Sequence, residues 1–226
     1  WSSDVCSSDL SGFSGAAKVA AKGDYTVALK SDETVWSWGN NTYGQLGDGT
    51  KTDRWTPVQV SGLSGVSAIS AGSQHTAALK NDGAVWTWGY NAYGQLGDGT
   101  TTQRSSPVGV PGLVNVEEIA VCGQHSAAVQ SDGTVATWGW NRSGQLGDGT
   151  TTDRWSPVSA MRLAGSTMIK AGIGFSAALK SDGTVWTWGD NYYGQLGDGT
   201  TTDSLMPLAV SGLSGVANVS AGHLHI

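Results

Sequence analysis

Histidine and aspartate are the first side chains to examine for chemistry in this chain, because each recurs at a fixed place every fifty residues. His75, His125 and His225 share one position, which Tyr25 and Phe175 fill elsewhere. A general base or a metal ligand would not survive exchange for phenylalanine, so this position asks for an aromatic body. Asp48, Asp98, Asp148 and Asp198 each stand between glycines in GQLGDGT. A calcium loop needs several oxygen ligands at alternate spacing; one carboxylate between glycines reads instead as a turn in which aspartate caps its own backbone. The same heptapeptide lacks the Lys-Ser/Thr end of a phosphate loop. No nucleophile, base and orienting residue recur together. No catalytic, cofactor or metal residue is therefore assigned, and the chain is read as a non-enzyme.

Tryptophan and the loop residues offer binding chemistry instead. Trp38, Trp88, Trp138 and Trp188 occur in every unit and read as packing, as do Trp36, Trp86 and Trp186, whose counterpart in the third unit is Ala136. The positions that differ among otherwise near-identical units are more informative. They give a candidate binding surface of Tyr43, Arg54, Trp55, Tyr90, Tyr93, Arg104, Trp140, Arg142, Arg154, Trp155, Asp190, Tyr192 and Tyr193. Aromatic and arginine side chains are those that protein interfaces favour.

Composition narrows the partner. Of 226 residues only 12 are Lys or Arg, scattered singly, and the formal net charge is -6. That leaves no basic stripe for phosphates and no patch for an anionic membrane, so no nucleic acid is expected. No apolar run is long enough to span a bilayer, so no membrane insertion is expected either. The expected partner is a protein, with carbohydrate on the exposed aromatics as the alternative. The two cysteines, Cys6 and Cys122, form neither a disulfide framework nor a metal motif. A secreted or cell-surface location is favoured over a cytoplasmic one.

The elements that position these residues follow from the period. GQLGDGT recurs unchanged at 44–50, 94–100, 144–150 and 194–200, WGxN precedes it each time, and Pro57, Pro107, Pro157 and Pro207 keep the register. Residues 1–10 share nothing with the repeat and resemble a translated sequencing adapter, so they are set aside from the repeat domain, 11–226. Its units are drawn at 21–70, 71–120, 121–170 and 171–220, with a partial unit at 221–226. Within 66–110, VSAISAG, HTAALK, AVWTWG and SSPVGV read as four short strands. Trp86 and Trp88 alternate with Val85 and Thr87 at the strand period of two. Asp82-Gly83, Asp132-Gly133 and Asp182-Gly183 supply a positive φ between the second and third strands; the first unit must use Glu33 there. Four short strands cannot bury a face alone. Stacked units can, with Leu63, Leu113, Leu163 and Leu213, and Val19, Ile69, Ile119, Ile169 and Val219, as filling. Solenoid coils usually repeat at about 20–30 residues and propeller blades at about 40–50, so an all-β propeller of four-stranded antiparallel blades, about four of them, is predicted.

The succession AGxxHTAALxxDGxVWTWGxNxxGQLGDGT, followed by proline, resembles the repeat of the regulator of chromosome condensation family over residues 11–226. The resemblance, closest to the bacterial-type tandem repeats, implies a portion of a seven-bladed ring. The family's founder is a guanine nucleotide exchange factor, so the resemblance implies exchange regulation of a small GTPase as an alternative to a protein-binding scaffold. The Gly-Trp-Arg-His-Thr segment of the family's ultraviolet-sensing member is missing: the matching stretches read GDYT at 23–26, SQHT at 73–76, GQHS at 123–126 and IGFS at 173–176.

Overall fold

The computed structural model describes residues 13–222 and 225, so the adapter-like segment and Cys6 lie outside the described residues. Among the described residues sixteen strands form four antiparallel sheets, each with its strands in chain order. The first blade is β1 (Ala16–Lys22), β2 (Tyr25–Lys30), β3 (Val35–Gly39) and β4 (Arg54–Gln59). The second is β5 (Val66–Ala71), β6 (His75–Lys80), β7 (Val85–Gly89) and β8 (Arg104–Gly109). The third is β9 (Val116–Cys122), β10 (His125–Gln130), β11 (Val135–Gly139) and β12 (Arg154–Ser159). The fourth is β13 (Ser166–Ala171), β14 (Phe175–Lys180), β15 (Val185–Gly189) and β16 (Ser204–Ala209). The strands read from 66–110 match the second blade, with the fourth strand one residue earlier than the sequence pattern suggests. A blade runs from about 16 to 59 in the first repeat, so units drawn at 21–70 cut through its inner strand; a period has no natural origin.

The hairpin between second and third strands is a three-residue loop. Glu33 N donates to Lys30 O, closing a β-turn whose last residue takes a left-handed conformation. Gly83, Gly133 and Gly183 fill that place at φ 76–78°, and Glu33 is forced to φ 65°. The aspartate before it, Asp32 in the first blade, accepts the Thr34 N–H and hydroxyl.

The core lies between blades. Leu46, Val60 and Leu63 of the first blade and its connection cluster with Ala78 and Trp88 of the second. The second and third blades, and the third and fourth, repeat the arrangement around Trp138 and Trp188. Inner strands β1, β5, β9 and β13 follow one another around an arc. Their concave side bounds a cavity of about 460 Å³ whose charges are of both signs, Lys18, Lys22, Glu117, Glu118 and Lys170. Two of these, Lys170 and Glu118, form an ion pair. Lys22 Nζ reaches across to Cys122 Sγ at 2.6 Å; burial pushes that thiol above its ordinary value, against the nearby ammonium. The predicted filling holds in the interior of the arc, where Ile119, Leu163 and Ile169 are buried. At the edges of the described arc Val219 is buried as well, but Val19 is 61 % and Leu213 47 % exposed, with no described blade packed against them. Among the described residues there is no helix, and so none long and apolar enough to cross a membrane.

Candidate functional site: the loop face of the arc

One face of the arc is built from the long loops joining third to fourth strands, 40–53 and its equivalents, and the short turns joining first to second. They meet because Asn40 N donates to Asp24 O, as Tyr90 N, Trp140 N and Asp190 N do to Gln74, Gln124 and Gly174. Each long loop is wound around a buried asparagine. Asn41 Nδ2 lies 3.1 Å from Asp48 Oδ1, 3.2 Å from Thr50 O and 3.0 Å from Thr52 O, and Asn41 Oδ1 accepts the Leu46 N–H. Asn91, Asn141 and Asn191 repeat these bonds. A polar side chain that satisfies so many loop backbone groups makes an irregular segment rigid.

Asp48 completes the loop. Its Oδ1 takes the Thr50 N–H and hydroxyl, and its Oδ2 takes Arg54 Nε at 2.7 Å and Nη2 at 2.6 Å. Arg104 and Arg154 hold Asp98 and Asp148 in the same way. Burial pushes these carboxyls up, but the Thr and Arg hydrogen bonds together outweigh it and hold them below the usual carboxylate range. The turn reading of these aspartates therefore acquires a partner that the spacing did not suggest, and the three arginines are engaged within their own loops. At Asp198 the arginine is replaced by Ser204, and that carboxylate keeps only Thr200 and Asn191.

The joint between blades converges on a single carbonyl. Register places Thr76 opposite Trp88 on β6 and β7, so the Thr76 hydroxyl and Trp88 Nε1–H both reach Gln45 O of the first blade, each at 2.9 Å. Ser126 and Trp138 reach Gln95 O, and Ser176 and Trp188 reach Gln145 O. The approach is close enough that a Cβ on Gly47 would stand 2.7 Å from Trp88 Nε1, and φ there is +71°. The histidines join the same joint: His75 Nε2 lies 3.0 Å from Ser126 Oγ and His125 Nε2 2.9 Å from Ser176 Oγ, and because those hydroxyls donate to Gln95 O and Gln145 O, the neutral imidazoles are the donors. Burial, assisted by His125, pushes His75 down to about 3; burial, assisted by Lys22, pushes His125 down to about 4. Both are neutral struts of the fold.

On this frame the predicted surface residues separate into groups. Tyr43, Tyr90, Tyr93 and Trp140 form one half-buried aromatic row over three blades, with ring centroids 4.8, 6.2 and 6.3 Å apart. Tyr192 and Tyr193 pair edge to face at 4.8 Å on the fourth blade, both largely exposed. Arg142 is exposed, and Asp190 accepts from the Gln195 amide. Trp55 and Trp155 stand apart on the outer strands β4 and β12. The row has a local cost. Gln45 Nε2 donates to Asn40 Oδ1 at 2.7 Å, but Tyr90 and Trp140 occupy that position in the middle blades and offer no such acceptor. The buried Gln95 and Gln145 Nε2 groups find no partner among the described residues. Sequence reasoning missed Asn41, Gln45 and their equivalents; invariance of the asparagine in WGxN was the available signal. Among the described residues no three His, Cys, Asp or Glu side chains cluster as a metal site would require.

The sequence profile of the regulator of chromosome condensation (RCC1) repeat matches residues 32–79, 82–129, 132–179 and 182–226, and a second profile of the same repeat matches 16–45 and 66–95. The chain belongs to this family. Among solved members of the fold, human WBSCR16 superposes with TM-score 0.78 at 26 % identity, over 88 % of this chain and 54 % of that one. Prp20p from Saccharomyces cerevisiae, in a study of its binding to Gsp1p and histones, gives TM-score 0.76 at 24 % identity over 88 % and 51 %. Yeast RCC1 (Prp20) bound to Kap60 gives 0.77 at 23 % over 88 % and 49 %. The chain thus spans about half the length of the solved relatives it matches. A comparison with curated protein sequences gives no match. The RCC1-repeat sheets are therefore propeller blades, as the period predicted.

Proposed function

We propose that this RCC1-repeat arc is a non-catalytic protein-binding module that takes its partner on the loop face, along Tyr43, Tyr90, Tyr93 and Trp140. The observation that carries the reading is the aromatic row itself, held at the expense of two buried amide donors. An unsatisfied buried donor costs about 1–3 kcal/mol, and a local rule broken at such cost marks a site kept for something other than stability. The row is preorganised, because the loops beneath it satisfy their own polar groups, so little entropy is lost when a partner docks. With Arg54, Arg104 and Arg154 occupied by aspartates, recognition rests on the aromatic faces, with Arg142 the one candidate arginine left exposed beside them. The partners named for Prp20p, Gsp1p, histones and Kap60, are proteins.

The test uses the repeat's own variation. Tyr90→Asn with Trp140→Asn supplies the acceptor that Asn40 gives in the first blade. This double variant should be more stable than the parent yet lose a captured protein partner by about tenfold or more, the scale of one or two hot-spot side chains. Trp36→Ala with Trp186→Ala, at the far end of the blades, should retain it. Capture unchanged in the first variant would overturn the reading. Acceleration of GDP release from a captured GTPase would replace it with exchange regulation, and oligosaccharide-dependent quenching of tryptophan fluorescence with carbohydrate binding.

A further inference from the structure

Asn40 shows how much the frame asks of a side chain at its place in the repeat. A single oxygen, Asn40 Oδ1, accepts both the Gln45 amide at 2.7 Å and the Thr42 N–H at 3.3 Å. Asp190 meets the same two demands on the fourth blade, taking the Gln195 amide on Oδ2 and the Tyr192 N–H on Oδ1. Asparagine would satisfy both, so the carboxylate adds a negative charge that the loop does not use. Among the described residues no Lys or Arg pairs with it.

That charge lies against an indole. A Cβ placed on Gly174 would stand 3.3 Å from Asp190 Cβ, 3.9 Å from Asp190 Cγ and 3.9 Å from Trp140 Cζ3, so the carboxylate of the fourth blade and the ring of the third converge over one glycine. Gly174 and Trp140 also bound a cavity of about 280 Å³, closed by Ile173 and by the turns at 73–74 and 123–124, with no charged side chain in its lining. Small-molecule sites run to about 300–1,000 Å³; this one has room for a single long side chain. The wider face has the same sign. In the segments that build it, three GQLGDGT aspartates are neutralised by Arg54, Arg104 and Arg154. Asp24, Asp53, Asp153, Asp190, Asp198 and Asp203 remain, against Lys51 and Arg142. Lys22, the last residue of β1, directs its ammonium at Cys122 Sγ.

We infer that the corner between Trp140 and Asp190 is a subsite for a lysine or arginine side chain, and that the partner presents a basic segment to the loop face. The inference rests on the protein-binding reading above and names the chemistry of its partner. An ammonium or guanidinium group there is attracted by the face of the indole and by the carboxylate at once. Its long apolar stem lies along the aromatic row, where Tyr93 follows Trp140 at 6.3 Å between ring centroids. The acidic surroundings raise the local concentration of a basic segment and favour its approach.

Fluorescence anisotropy of fluorescein-labelled hexalysine, titrated with the whole chain at low salt, reads the site. Hexalysine should bind and labelled hexaglutamate should not. Asp190→Asn keeps the acceptor for Gln195, as Asn40 does for Gln45, and should weaken hexalysine binding by about three- to tenfold. Asp132→Asn makes the same charge change in the β10–β11 hairpin on the opposite face and should leave binding unchanged; the difference between the two variants should fade as salt rises. Circular dichroism of each variant establishes that it is folded. The inference is overturned if hexalysine does not bind the parent, if hexaglutamate binds as well, or if the two charge variants behave alike. The aromatic row is read separately. Binding that is lost in Tyr90→Asn with Trp140→Asn but parental in Asp190→Asn would leave the row as the docking surface and overturn its assignment to a cation.

Discussion

Replacing Trp88 by alanine should cost about twice what the same replacement costs at Trp38, although the two tryptophans hold the same place in the repeat. Trp88 is fully buried between the first and second blades, with its Nε1–H 2.9 Å from Gln45 O. Truncation of such a ring costs about 3–5 kcal/mol. Gln45 O keeps the Thr76 hydroxyl, so no acceptor is orphaned. Among the described residues no blade packs against Trp38 as the first does against Trp88; it is half-buried, with Phe13 edge-on at 5.7 Å. Half the burial scales to about 1.5–2.5 kcal/mol. Urea unfolding at a concentration where the chain is monomeric measures both. Repeat stability is close to a sum of unit and nearest-neighbour terms, so Trp88→Ala should also separate the first blade from the other three. That separation appears as a second transition or a lowered denaturant slope, with faster hydrogen exchange in β2 and β3. Trp38→Ala should shift the midpoint slightly at constant slope. Equal losses in the two variants would refute the reasoning that the core belongs to the joints and not to the blades.

Two further outcomes follow from strain and from buried imidazoles. Glu33→Gly should stabilise the chain by about 0.5–1 kcal/mol by relieving a left-handed glutamate in the place where the other blades carry glycine; an unchanged or lower urea midpoint would contradict it. The histidines set an acid limit. An unfolded histidine titrates near 6.5, while burial holds His75 and His125 at about 3 and about 4. The stabilising contribution is complete above about pH 6.5, and it is lost as pH falls toward those values because the unfolded chain takes up protons that the fold refuses. The slope is up to about 1.4 kcal/mol per pH unit for each histidine. His75→Phe with His125→Phe, which copies the Phe175 of the fourth blade, should flatten urea midpoints between about pH 6.5 and 4.5; a parental slope in that variant would show that the imidazoles are not the cause.

The strands and turns were legible because four near-identical units let every position be read four times. The alternation in AVWTWG locates β7, and the Asp-Gly pairs locate the hairpin, including the one glutamate that must take a positive φ. The candidate site was legible only as a set of varying positions. Its grouping depends on Tyr43 of one blade meeting Tyr90 of the next, a neighbour relation fifty residues apart that no local pattern displays. Arg54, Arg104 and Arg154 entered the candidate surface because their neighbours vary; a carboxylate six residues earlier in the same loop occupies them. Gln45 was silent because the group at work in the joint is its backbone carbonyl, which every residue possesses.

The division between constant and variable positions has a physical basis. Asn41, Asp48 and the glycines of GQLGDGT are invariant because each is satisfied by, or packed against, several groups at once, and losing one would orphan the others. The Asn40 and Asp190 side chains touch the buried frame through the amides of Gln45 and Gln195 and otherwise bond only the exposed Thr42 and Tyr192 beside them, while Tyr90 and Trp140 leave the Gln95 and Gln145 amides without a partner. Asparagine, tyrosine, tryptophan or aspartate can stand there at the cost of one buried hydrogen bond and the local bonds within the turn. The face can therefore be rewritten one residue at a time while the joints stay intact, and the two blades that forgo that bond are the two that complete the aromatic row.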